Sequence, residues 1–224
     1  MNTNRKIARI AGFLYLAYII VTVIANGLGR ASIIVPASAA ATVANILAHE
    51  TQFRIGLVCE LLATLLFFLT AWGLYCLLKP VNKTIALLFV LLNLCGGAIA
   101  SLSALFLCAA LPFASGAGYL ASFSTQQLNA LALFFLGFRN TAFTGAQLFY
   151  GAWTLPLGYL VFKSGFLPRA LGILLVIDCL AVLIWFLQYF VFPGYAVVSY
   201  PCCAVSLIAE LGLTLWLLTK GVRD

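Results

Sequence analysis

The sequence predicts an all-α polytopic transmembrane bundle of six helices with two short outer amphipathic helices. Three observations predict it. Long apolar runs make up nearly all of the 224 residues. The chain is 65% hydrophobic and only 8% charged, with a mean hydropathy of +1.15, whereas a soluble domain carries about 25% charged residues. Each run is close to the ~20 residues a helix needs to cross the hydrocarbon, where only helices and closed barrels satisfy every backbone polar group. A single transmembrane domain, residues 1–224, follows: no linker or low-complexity tail divides the chain.

In order, the predicted spans are Ile10–Leu28, Phe53–Leu78, Thr84–Leu111, Thr141–Phe162, Ala170–Phe192 and Pro201–Thr219. Arg5, Lys6 and Arg9 precede the first, as in a signal peptide, and Val23-Ile24-Ala25 offers a cleavage site. Its apolar stretch exceeds the 7–15 residues of a signal's core, so it is read as a retained span. The positive-inside rule then sets orientation. With both termini cytoplasmic, Arg5, Lys6, Arg9, Lys79, Lys83, Lys163, Arg169, Lys220 and Arg223 lie inside, and only Arg30, Arg54 and Arg139 lie outside. The expected address is the cell (inner) membrane. The net charge of +7 therefore points to helix ends, not to nucleic acid.

Two outer connections are longer than a turn. Ser38–Glu50 predicts a short helix with Ser38 or Thr42 as cap. Ser124–Phe138 predicts another, opened by the capping-box pattern Ser124-Thr125-Gln126-Gln127. Its Leu128, Leu131, Phe134, Phe135 and Phe138 recur at helical spacing. Both helices are expected on the outer membrane surface. They also suggest a parallel internal repeat. Ser38 and Ser124, Arg54 and Arg139, Lys79 and Lys163, and Ala86 and Ala170 are offset by 86, 85, 84 and 84 residues. Each unit would hold an outer helix, a descending span, a basic turn and an ascending span, as in some transporters. Chance agreement among Leu- and Ala-rich helices is the alternative.

Because lipid cannot drive helices together hydrophobically, small and polar stripes mark helix contacts. Gly12, Tyr15, Thr22 and Asn26 form one, and Gly96, Ala100, Ala104 and Cys108 another. The most polar is Asn140, Thr144, Gln147, Gly151, Thr154 and Gly158; the last span carries Cys203, Ser206, Glu210 and Thr214. Most of these residues are expected to pack helices.

Glu60, Asp178 and Glu210 lie inside predicted spans, with Arg139 at the head of another. A charge in hydrocarbon costs at least ~2.5 kcal/mol, so each must face the interior, find a partner or carry a proton. One reading makes Glu60, Asn93, Arg139, Asn140, Gln147, Asp178 and Glu210 the lining of an outward-facing polar cavity for a small solute or proton. The plainer reading pairs Arg139 with Glu60 to join two spans, and leaves Asp178 and Glu210 hydrogen-bonded to neighbours.

Several chemistries lack their residues. The single histidine, His49, sits in an outer connection, against a b-type haem or a serine hydrolase. No H-E-x-x-H, Walker loop, dinucleotide fingerprint or C-x-x-C pair occurs. Cys59, Cys76, Cys95, Cys108, Cys179, Cys202 and Cys203 are expected to be small packing residues. An Asp178–Glu210 aspartyl-type pair has no supporting flanks. The expectation is a non-enzyme with no cofactor and no metal.

Four stretches resemble the Domain of Unknown Function 4386 family, predominantly bacterial multi-pass membrane proteins. They are Ala8-Arg9-Ile10-Ala11-Gly12-Phe13-Leu14-Tyr15-Leu16, Ile34-Val35-Pro36 through Ala44-Asn45-Ile46-Leu47, Leu78-Lys79-Pro80-Val81-Asn82-Lys83, and Lys163-Ser164-Gly165-Phe166-Leu167-Pro168-Arg169-Ala170-Leu171-Gly172. The resemblance implies the topology and supplies no mechanism. Two function classes remain. One is small-solute binding or transport through the polar cavity. The other is a non-catalytic membrane component that partners another membrane protein. Besides the lipid bilayer, the partners expected are a small solute or a membrane protein.

Overall fold

The computed structural model describes residues 3–35 and 38–222, and among these the regular elements are all helices. Pro36 and Arg223, used in the reading above, lie outside the described residues. The helices are α1 (Thr3–Asn26), α2 (Ala39–Ala48), α3 (Glu50–Leu78), α4 (Lys83–Ser115), α5 (Thr125–Lys163), α6 (Arg169–Val191) and α7 (Ser199–Thr219). A π-helical turn, Gly27–Ala31, extends α1, and 3-10 turns cover Gly118–Leu120 and Pro193–Val198.

Among the described residues, five helical segments are long and apolar enough to cross a membrane: Thr3–Ala31, Glu50–Leu78, Lys83–Ser115, Arg169–Val191 and Pro193–Thr219. Large apolar side chains such as Phe13, Val58, Leu180 and Ile208 stand exposed along them, as lipid contact requires. The polar stripe from Asn140 to Gly158 instead runs along α5.

The sharpest difference from expectation is α5. The sequence predicts a surface helix ending at Phe138 and a separate span from Thr141, yet one helix of 39 residues runs through both. Gly137 is the weakest helix former near the junction, and one interior glycine costs only about 1 kcal/mol, too little to end a helix supported on both sides. The corresponding junction between α2 and α3 does break. His49 leaves the helical region there, at φ −125° and ψ 37°. The third span also continues past its expected end at Leu111, through Pro112 to Ser115. It stops where Gly116 takes φ +63°, the left-handed conformation that ends helices.

The predicted caps are present. Ser38 Oγ accepts from the Ala41 amide at 3.3 Å. Ser124 and Gln127 form the reciprocal capping box: the Ser124 amide donates to Gln127 Oε1 at 2.8 Å, and the Gln127 amide to Ser124 Oγ at 3.3 Å. Thr42, the other candidate cap, closes the connection instead, accepting from the Val35 amide at 3.0 Å and donating to its carbonyl at 3.1 Å.

The chain forms two compact units, each built from parts of several helices. One comprises residues up to Ala17, Leu65–Ala98 and Thr144 onward. Its core sets Phe67 edge-on against Tyr150 and Trp153, and Phe89 edge-on against Trp153 as well. Here α5 and α6 meet at Gly158 and Gly172, where a β-carbon on either would come within 2.8 Å of the other's carbonyl oxygen. The second unit comprises Tyr18–Thr64 and Ile99–Phe143. Its core gathers Ile33, Val43, Ile46, Phe53, Leu57, Leu107, Ala110, Ala114, Ala132 and Leu136. Gly29 and Gly56 touch backbone to backbone, and a β-carbon on Gly29 would meet Gly56 Cα at 2.8 Å.

Candidate functional site

The seven residues singled out by sequence divide between the units. Glu60, Arg139 and Asn140 belong to the second; Asn93, Gln147, Asp178 and Glu210 belong to the first. Each unit holds a polar cluster inside apolar helices, around Glu60 and Arg139 in the second and around Asp178 and Glu210 in the first.

In the second unit the cluster is ionic. Glu60, ten residues along α3, meets Arg139 of α5 in an ion pair through Oε1 and Nη2. Arg30, carried on the π-helical turn, brings its own Nη2 to 3.7 Å from the same oxygen. Arg139 is essentially sealed at 1% exposure, and the Glu60 side chain is only 14% exposed. Arg139 Nη1 donates to Asn140 Oδ1 at 3.2 Å, and its guanidinium lies 4.6 Å from the centre of the Phe143 ring. A guanidinium remains charged at all working pH values, so two fixed cations share one carboxylate. The Nε atoms of Arg30 and Arg139 are buried without a hydrogen-bond partner, a state costly for any buried donor. Arg54 stands apart, paired on the surface with Glu50 at 2.7 Å.

Sequence reading missed Arg30. It set the residue among the outer loop charges because the apolar run ends at Leu28. The signal was there: Gly27, Gly29 and Arg30 adjoin a span end, and small residues allow a turn to fold inward. π-helical turns recur at functional sites.

In the first unit the cluster is built from carboxyl and hydroxyl groups. Asp178 of α6 is fully buried, and Ser206 of α7 donates to its Oδ1 at 2.5 Å. Glu210 follows Ser206 by one helical turn, beside the Tyr15 hydroxyl and within electrostatic reach of Asp178 and Tyr150. The Tyr150 ring occupies room left by Gly96, where a β-carbon would meet it at 2.7 Å. Asn93 and Gln147 are buried in the same unit, Asn93 with its amide nitrogen unpartnered. This is the plainer alternative for Asp178: a side-chain hydrogen bond joining α6 to α7.

Among the described residues no group of three His, Cys, Asp or Glu side chains is placed to hold a metal, and all seven cysteines are free. The space between helices includes an apolar groove of about 510 Å³ lined by Ile184, Leu187, Gln188, Phe192, Tyr195 and Val198. A second space of about 330 Å³ has Glu50, Arg54, Pro112 and Tyr119 in its lining.

Long apolar helices with ion pairs and hydrogen bonds buried among them define a membrane-embedded helical protein in contact with lipid. The chain belongs to the family described as Domain of unknown function (DUF4386), whose model matches residues 10–221. Comparison with curated proteins and with solved structures gives no match.

Proposed function

We propose that this is a six-span inner-membrane protein of bacterial type that binds a small solute through a polar cavity open to the outer side, with transport as the activity such a cavity serves. One observation carries the reading: the sealed guanidinium of Arg139 and the largely covered one of Arg30 face a single carboxylate, and the Nε donor of each is buried without a partner. Evolved interiors seldom keep unmet donors without use, and ionisable groups within membrane spans mark binding pathways. α5 supplies the sixth crossing, and the lysines and arginines then put both termini in the cytoplasm by the positive-inside rule. The repeat keeps its order in this reading, as capped helix, descending span, basic turn and ascending span. The unbroken α5 replaces the α2–α3 break in the second copy. The protein acts without catalysis and without a cofactor, and nucleic acid is not a partner.

A second reading has its own support. The Glu60–Arg139 ion pair ties α3 to α5, and the Gly29–Gly56 contact is one of closely packed helices. Those features suit a structural component that holds another membrane protein.

Ala63→Cys separates the two. Ala63 is buried one turn after Glu60, and the change leaves all three charges in place. With the seven native cysteines replaced, a membrane-impermeant thiol reagent applied to intact cells labels Cys at this position if the cavity opens outward. Absence of labelling from either face of the membrane sinks the solute reading in favour of the structural one.

A further inference from the structure

We infer that the Arg30–Glu60–Arg139 cluster is an anion site that takes the carboxylate or phosphate group of the solute, an assignment that rests on the solute-binding reading above. Charge accounting within the unit leads to it. The ionisable Asp, Glu, Lys and Arg side chains of Tyr18–Thr64 and Ile99–Phe143 are Arg30, Glu50, Arg54, Glu60 and Arg139. Glu50 and Arg54 neutralise each other on the surface. The interior cluster is left with two positive charges and one negative. Arginine cannot discharge the excess by losing a proton, and isolated charge in low dielectric is among the costliest things a protein can bury. A second anion would balance the cluster.

The geometry specifies the kind of anion. Both guanidinium groups approach one oxygen of Glu60, Arg30 at 3.7 Å, which is too long for a hydrogen bond. The planar fork of Arg30 is therefore not engaged in a bidentate pair. The Nε atoms of both arginines are buried and unpartnered. A guanidinium presents Nε and one terminal nitrogen as parallel donors, a match for two oxygens of a carboxylate or phosphate. Glu60 already engages a terminal nitrogen of Arg139 and competes with the incoming group by like charge. The solute's anion and the Glu60 carboxylate thus trade places on the arginines.

The competition gives a test with an unusual sign. The full chain is purified in a neutral detergent, and its thermal midpoint is followed while sodium phosphate or sodium acetate is added, against sodium chloride of equal ionic strength. A site that binds only the folded state raises the midpoint saturably. Binding is expected for the native chain and lost in Arg30→Gln, a variant that keeps the Glu60–Arg139 pair and so should fold. In Glu60→Gln, apparent affinity is expected to rise by about tenfold or more, because juxtaposed like charges cost several kcal/mol. A parallel arm compares nanodiscs of phosphatidylglycerol and phosphatidylcholine. Stabilisation by phosphatidylglycerol alone, abolished by Arg30→Gln, supports the site and names a lipid head group as the source; response to free phosphate names a dissolved solute. Weaker anion binding in Glu60→Gln, or no saturable response in any arm, overturns the assignment. Labelling at Ala63→Cys reports separately. A labelled cavity with no anion response defeats the anion class alone, and an unlabelled one defeats the solute reading itself.

Discussion

The two polar clusters solve the same problem in opposite ways. In one, Glu60 sits between Arg30 and Arg139, and charge answers charge. In the other, Asp178 and Glu210 have hydroxyl neighbours, Ser206 and Tyr15, and among the described residues no Lys or Arg forms an ion pair with them. An ionic cluster binds its helices strongly only while every member is present, since removing one partner strands a buried charge. A cluster of hydroxyl and carboxyl groups is closer to a set of separate hydrogen bonds, each worth about 1 kcal/mol. The difference teaches where this fold is brittle: around Glu60, not around Asp178.

The contrast can be broken by substitution, and the largest effect is expected at Arg139. Arg139→Leu leaves Glu60 without its closest cation, and should cost about 3–5 kcal/mol of stability, seen as a drop in thermal midpoint and in folded yield from detergent. A loss under about 1 kcal/mol would mean that water already reaches Glu60 and that the cluster is not brittle. Gly56→Ala comes next. Its new methyl runs into the Gly29 backbone, which cannot rotate away as a side chain can, and overpacking of this kind costs about 1–3 kcal/mol. Denaturant titration of the purified variant would measure it, and a neutral result would show that the contact relaxes freely. Ser206→Ala removes the donor to Asp178 and should cost about 1 kcal/mol, readable in the same titration. The smallest change is expected for Asp178→Asn, whose amide oxygen still accepts from Ser206; a shift within about 1 kcal/mol keeps the contrast, whereas a loss as large as that at Arg139 would erase it.

Much of the fold could be read from the residues because bilayer physics leaves few choices. Spans of about 20 apolar residues must be helices, and the ends of α3, α6 and α7 fall within a few residues of expectation. Local chemistry was equally legible, down to the Ser124–Gln127 capping box. What escaped was set by tertiary contact. Whether the chain breaks at His49 but continues through Gly137 depends on the packing on either side, and neither junction carries a proline that would decide it. The same holds for the candidate site. Glu60 and Arg139 were identifiable as a pair because each is a lone charge in or beside a span. Arg30 was not, because the π-helical turn that brings it to Glu60 has no sequence signature beyond its glycines. Asp178 and Glu210 were recognised as buried acids, but their neighbours Tyr15 and Ser206 looked like ordinary stripe residues.

One further point lies in the backbone contact between Gly29 and Gly56. Gly29 immediately precedes Arg30, and Gly56 lies one helical turn before Glu60. A joint with no intervening side chain tolerates almost no sliding, because a step of one residue would drive Leu28 or Leu57 into the opposing main chain. The crossing therefore works as a keyway that fixes how far each charged head reaches, and accuracy at the cluster is inherited from two positions that carry no functional atoms.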